Sequence, residues 1–242
     1  MQKQASTDND LPALVKKGVG LFGGSFDPVH WGHVRLAEEV QKNLNFDPLW
    51  IIPSQNPPHK PPFEIGTSHR LAMVETAFAH VPQTKISKYE IERKDYSFAI
   101  HTIEHFKQIY PDRPLFFILG MDAFYDLPKW FEFPRVLEEC SYIIVSRAGW
   151  DFRTQSSPRL QARLADLVES GLLTKTKPVE PFKNAHQTRS GGFVVTLELE
   201  LPEVSSTEVR MRLQLGESIE SLVPAAIARY LKSLPAYGTK KA

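Results

Sequence analysis

A chain of 242 residues, 42% hydrophobic and 24% charged, can bury a sizeable core as one large domain or two small ones. Its formal net charge of +1 supplies no global field for nucleic acid or an anionic membrane, and its single cysteine, Cys140, excludes an intrachain disulfide framework and a cysteine-rich zinc site. No stretch reaches the ~18 consecutive apolar residues of a membrane span, and no apolar signal region opens the chain, so a cytoplasmic setting is the expectation.

Residues 1–17 are mostly polar and read as a flexible lead-in to a single domain over 18–242. Val19, Leu21 and Phe22 suit a buried strand, which Gly23 and Gly24 end. Asp27-Pro28 turns the chain, and from Gly32 the apolar residues Val34, Ala37, Val40 and Leu44 mark a helix. Pro48 to Pro53 forms a second short strand. The following loop, Ser54 to Pro62, holds four prolines and can be neither helix nor central strand. Thr67 suits a helix cap before Leu71, Val74 and Phe78, and Lys85 to Ile91 suits a third strand. Ser97 suits the cap of another helix bearing Ile100, Ile103, Phe106 and Ile109.

Pro114 to Gly120 is a fully apolar strand with Met121-Asp122 at its carboxyl end. Leu127 to Phe133 then clusters three aromatics as a partly exposed platform. Tyr142 to Val145 is a further strand, ending at Ser146-Arg147. Residues 148–192 are polar, with one helix from Pro158 to about Ser170, and read as an insertion or lid within the domain. Phe193 to Leu199 is a last strand, followed by helices opening at Ser205 and Pro224.

This alternation predicts an α/β fold: a doubly wound parallel sheet with helices on both faces and helices at the C-terminal end. Ligands of such sheets bind at the carboxyl ends of the strands, near the point where strand order reverses. Ser25, His30, His33, Asn56, His59, Asp122 and Arg147 all fall at such ends.

Two stretches carry anion chemistry. His30 and His33 sit at the mouth of a helix, whose unpaired N–H groups and partial positive charge favour phosphate. Ser205-Ser206-Thr207-x-Val209-Arg210 is a second helix start, with hydroxyl donors and an arginine one turn in. Two such sites in one α/β domain suit a triphosphate. No Walker A loop, dinucleotide GxGxxG fingerprint or nucleophile elbow is present.

The run Gly23-Gly24-Ser25-Phe26-Asp27-Pro28-Val29-His30-Trp31-Gly32-His33 resembles the bacterial nicotinate-nucleotide adenylyltransferases, members of the HxGH nucleotidyltransferase superfamily. The Ser205 to Arg210 stretch resembles that family's second signature. The resemblance implies a Rossmann-like nucleotidyltransferase fold and adenylyl transfer from ATP to nicotinate mononucleotide, giving deamido-NAD and pyrophosphate. It implies catalytic roles for His30, His33 and Arg210. ATP would meet Gly23, Gly24, Ser25, Phe26, Gly120, Asp122, Arg147, Ser205, Ser206 and Thr207. The mononucleotide would meet Asn56, His59, Lys60, Phe98, Ala99, Trp130 and Phe131, with the aromatics stacking on the pyridine ring. Mg2+ would travel on the ATP phosphates with no dedicated protein cage.

The pattern departs from the family at Ser97-Phe98-Ala99, where a tyrosine followed by threonine is usual. Other HxGH transferases, acting on nicotinamide mononucleotide or phosphopantetheine, share the first signature, as would a nucleotide-sensing protein without turnover. The Asn56 to Lys60 loop and Trp130-Phe131 favour a pyridine nucleotide, and intact His30, His33 and Arg210 weigh against a sensor. Nucleic acid and membrane are not expected partners, and a homo-oligomer is compatible with the chain.

Overall fold

The computed structural model describes residues 11–58, 62–93, 95–145 and 158–234. Helix α1 (Leu11–Lys17) precedes β1 (Val19–Gly24), α2 (Trp31–Leu44), β2 (Leu49–Pro53), α3 (Thr67–Phe78), β3 (Thr84–Ile86), α4 (Ala99–Ile109) and β4 (Leu115–Gly120). The short helices α5 (Met121–Asp126) and α6 (Arg135–Glu138) lead to β5 (Ser141–Val145), α7 (Pro158–Glu169), β6 (Leu173–Thr176), β7 (Phe182–Thr188) and β8 (Phe193–Leu197). Helices α8 (Ser206–Leu215) and α9 (Ala225–Ser233) follow.

All eight strands form one sheet in the order β3-β2-β1-β4-β5-β8-β7-β6. The first six in that order run parallel, and β7 and β6 run antiparallel at the edge. The chain winds outward from β1 to β3, then returns to place β4 on the other side of β1. Strand order therefore reverses between β1 and β4, the place where such sheets bind ligands.

Alternation along the strands fills both faces. Phe22, Phe116 and Ile118 pack with Val34, Val40 and Phe78 on one side. Val19, Leu21, Phe117 and Leu119 pack with Ile103, Phe106 and Phe124 on the other. Full burial of each such side chain contributes about 1.5–3 kcal/mol relative to exposure, so the near-continuous apolar runs of β1 and β4 stabilise the centre of the sheet. Gly20 is required by the close packing of β1, because a Cβ there would lie 2.8 Å from both Leu49 and Phe46.

Several sequence expectations need correction. Residues 11–17, read as flexible lead-in, form α1, with Leu11 and Val15 buried. The third strand is only three residues long, and Ile91 lies beyond it in a turn. Gly66 and Phe98 occupy the cap positions of α3 and α4, so neither Thr67 nor Ser97 is the cap. The expected helix from Pro158 is present as α7, but residues 173–188 also supply two strands of the main sheet.

His186 on β7 is 5% exposed, opposite Lys175 and Val194. Burial, and then the Lys175 charge, push its imidazole below the ordinary value of 6.5. The unfolded chain therefore takes up a proton first as pH falls, and stability present above about 6.5 is lost below it, at no more than ~1.4 kcal/mol per pH unit for this one group. We expect His186→Val to flatten the fall of the urea midpoint between neutral and mildly acidic pH. An unchanged slope would remove His186 from that balance.

Candidate functional site

The site is built where β1 gives way to α2. Gly24 ends the strand, and its carbonyl accepts from Ser54 N at 2.9 Å, joining the exits of β1 and β2. A Cβ on Gly24 would lie 2.7 Å from the Phe26 ring, so glycine is what lets that ring fold back under the turn. Phe26 has φ 47, the left-handed region. Burial of its ring against Phe22, Phe78 and His33, at centroid distances of 5.7, 5.8 and 4.9 Å, opposes the backbone cost. The buried Asp27 carboxylate accepts from the backbone N–H groups of Glu64 and Ile65, both at 3.0 Å.

His30 is the N-cap residue of α2, in extended conformation, and is 1% exposed. Its backbone N–H donates to His33 Nδ1 at 3.3 Å, and the two imidazoles stack with centroids 3.7 Å apart. Because His33 Nδ1 accepts, the neutral ring carries its proton on Nε2. A Cβ on Gly32 would come within 3.0 Å of the His30 ring, so the glycine between the histidines is a steric requirement of that stack.

Helix α8 docks onto the same turn from 178 residues away. Ser205 caps it by accepting from Glu208 N at 3.1 Å, and the Ser206 hydroxyl donates to Pro28 O at 2.9 Å. Arg210 Nη1 donates to Asp27 O at 2.6 Å, Nε donates to Glu64 Oε1 at 2.9 Å, and Nη2 reaches Thr207 Oγ1 at 3.4 Å. The two anion motifs thus flank one turn, with two helix N-termini, two imidazoles and a guanidinium near it.

Arg70 was not singled out by the sequence reading. It lies on the buried side of α3 with Val74 and Phe78, at helical spacing of four, which was its signal. It is fully buried, donates to Ser25 O at 2.7 Å and stacks on Phe63 at 3.9 Å. Burial lowers its pKa, and the Asp27 charge opposes that effect. Arg70 and Asp27 together tie the Ser25–Asp27 turn to residues 63–65. Glu64, also unremarked in the sequence, carries this network on to Arg210.

A second cluster forms where the exits of β2 and β4 meet α4. Asn56 and Gln55 are bonded through their backbone N–H groups to Ser97. The Phe98 and Phe131 rings stack at 4.4 Å, with His101 edge-on to both. Ala99 opens α4, beside Phe98. Trp130 parts from Phe131: it packs edge-on to Phe117 at 6.1 Å, while Phe131 is 45% exposed. Of the aromatic platform read from sequence, Phe131 with Phe98 forms the exposed ring pair, and Trp130 is mostly a wall of the core. Gly120 ends β4, and Asp122 stands exposed in the first turn of α5. His59, Lys60 and Arg147 lie outside the described residues.

The arrangement suits holding a polyphosphate rather than forming a covalent intermediate. Cys140 is buried, and burial pushes its thiol up to about 12, so it is no nucleophile. Among the described residues no group of three or more His, Cys, Asp or Glu comes together to hold a metal ion. The described site therefore does not fit a resident cation, and no chemical step is assigned to one. No helix among the described residues is long and apolar enough to cross a membrane.

Residues 21–212 match the family described as cytidylyltransferase-like. The chain is 30% identical over 219 residues to the "Probable nicotinate-nucleotide adenylyltransferase" of Shewanella frigidimarina, covering 90% of this chain and 99% of that protein. It is 34% identical over 219 residues to the similarly named protein of Syntrophotalea carbinolica, covering 88% of this chain and 94% of that one. In fold it resembles a Plasmodium falciparum nicotinic acid mononucleotide adenylyltransferase solved with NaAD, with a TM-score of 0.64 at 17% identity, covering 89% and 94% of the two chains.

Proposed function

The chain belongs to the cytidylyltransferase-like family, and from that premise we propose that its site transfers an adenylyl group from ATP to nicotinate mononucleotide. A non-bridging oxygen of the mononucleotide phosphate attacks the α-phosphorus of ATP. The new P–O bond forms as the bond from that phosphorus to the β-bridging oxygen breaks, and the products are deamido-NAD and pyrophosphate. The attacking phosphate is already largely dianionic at neutral pH, since its second pKa is about 6, so no general base is required. Catalysis then comes from orientation and from donors aimed at growing negative charge.

His30, His33 and the N-terminus of α2 serve the α-phosphate. Arg210 and the start of α8, with Ser205, Ser206 and Thr207, serve the phosphates that leave. Gly23, Gly24, Ser25 and Phe26 shape the turn against which ATP lies, and Gly120 and Asp122 line its other side. A divalent cation such as Mg2+ travels with the ATP phosphates as part of the substrate. Asn56, Phe98, Ala99 and Phe131 surround the pyridine half. The observation that carries this reading is the junction at Asp27-Pro28, where Ser206 and Arg210 of α8 are bonded to the turn that bears His30 and His33.

The test is pyrophosphate release from ATP with a panel of mononucleotides. Turnover with nicotinate mononucleotide is expected. Phosphopantetheine as preferred acceptor, or binding without turnover, would overturn the reading. Acid should be preferred over amide, because the first-turn N–H groups of α4, which Ala99 opens, favour a carboxylate and disfavour an amide N–H2. Ala99→Thr adds a hydroxyl at that turn, and should widen the kcat/KM ratio of nicotinate to nicotinamide mononucleotide by up to about tenfold. An unchanged ratio would mean that position 99 does not face the carboxylate.

A further inference from the structure

We propose that Ser97 is a positioning residue for the acceptor nucleotide, its hydroxyl splinting the Asn56 loop to the start of α4; the inference rests on reading that pocket as the mononucleotide site. Ser97 precedes the N-cap residue Phe98 and does not cap the helix. Its side-chain oxygen instead accepts from Gln55 N at 3.0 Å and from Asn56 N at 3.2 Å. Its own backbone N–H donates to Asn56 O at 3.0 Å. Three hydrogen bonds thus join one serine to two successive loop residues, 41 and 42 positions away in the chain.

The loop depends on such contacts. Pro57 and Pro58 follow directly and have no N–H to donate, so the loop cannot knit itself together through its own backbone. Gln55 is held from the other side, where its Oε1 accepts from the Thr67 hydroxyl at 2.7 Å. Asn56 is thereby fixed relative to Phe98 and Ala99, the residues on which the pyridine half of the site is built.

A hydroxyl has two lone pairs and one hydrogen. Both Ser97 lone pairs are used by the loop, so its hydrogen must point elsewhere. Glu90 is the acceptor on that side. It is 7% exposed, and its Oε1 accepts from the Thr102 hydroxyl at 2.7 Å. Burial pushes the Glu90 carboxyl up, and hydrogen bonds from Thr102 and then Ser97 oppose that push. By taking the hydroxyl hydrogens, the carboxylate leaves the Ser97 oxygen turned to the loop.

The experiment compares Ser97→Ala, Ser97→Thr and Glu90→Gln with the parent chain, reading both KM values, kcat and melting temperature. Ser97→Ala is expected to raise KM for nicotinate mononucleotide by about tenfold, the scale of one to two ordinary hydrogen bonds, with KM for ATP unchanged. Ser97→Thr keeps the hydroxyl and should restore the parent value. Glu90→Gln replaces one accepting oxygen by an N–H2 group and should give the same split at smaller size, even if Ser97→Ala fails to fold.

Equal changes in both KM values, no change in either, or no recovery in Ser97→Thr would overturn the proposal, as would an unsplit Glu90→Gln. A parent chain without turnover on any mononucleotide would overturn the functional reading and this inference with it. An active parent with unresponsive variants would overturn this inference alone.

Discussion

His33→Ala should lower kcat by roughly 10²–10³-fold, the usual cost of removing one donor aimed at transition-state charge. Its melting temperature should fall by only a few degrees. The stability cost is small because the ring is half-buried and its contacts are few: the stack on His30 at 3.7 Å, the edge contact to Phe26 at 4.9 Å and the cap bond from His30 N. Ring contacts of this kind are worth about 0.5–1.5 kcal/mol. In a chain of this size each kcal/mol shifts the melting temperature by about 2–4 °C.

Two further variants separate the jobs of the ring. His33→Asn places an acceptor near Nδ1 and should keep the cap bond but not the rate. His33→Gln places its amide near Nε2 and should retain part of the rate. A folded His33→Ala enzyme at full rate, or an Asn variant faster than the Gln variant, would remove the imidazole Nε2–H from the mechanism.

The start of this site was legible because three signals coincide within sixteen residues: the apolar run of β1, two glycines and the helical period from Val34. The sheet edge was not. In β7 the buried positions include His186 and Thr188, and the register shifts between Phe182 and Asn184, so the alternation that marks a strand never appears in the sequence. Helix α1 offered only Leu11, Leu14 and Val15 after a polar stretch, too few for a period. β3 is shorter than any pattern can register.

The site divides in the same way. Ser205 caps α8 as its type and spacing require, because its partner Glu208 N is three residues away. Ser97 has the same chemistry, yet its partners lie in a loop on another strand, and local spacing suggests a cap that does not form. Trp130 and Phe131 are adjacent in sequence and look alike by composition. Only the packing of Trp130 on Phe117 decides which ring remains available to a ligand.

Arg210→Ala should raise KM for ATP and lower kcat together, the latter by about a hundredfold. The guanidinium is placed by the fold before any ligand arrives, with Nη1 on Asp27 O at 2.6 Å and Nε on Glu64 Oε1 at 2.9 Å. Its side chain is only 22% exposed, so its charge is less screened than that of a surface arginine. As the bond to the β-bridging oxygen breaks, negative charge accumulates on the departing pyrophosphate. The arginine is then worth more in the transition state than in the ATP complex, which is the condition for kcat to fall as well as KM to rise. Loss of fold does not explain such a result, because α8 keeps its other anchors: Ser206 on Pro28 O, the Ser205 cap, and buried Val209 and Leu213. Arg210→Lys keeps the charge, but its single ammonium lacks the planar fork that lets arginine hold Asp27 O and a phosphate at once, so it should fall between parent and alanine. Steady-state kinetics with varied ATP, alongside melting temperatures, separates the cases. If Arg210→Ala leaves both constants unchanged in a folded chain, the start of α8 is a capped helix docked on the Asp27-Pro28 turn and takes no part in the transfer.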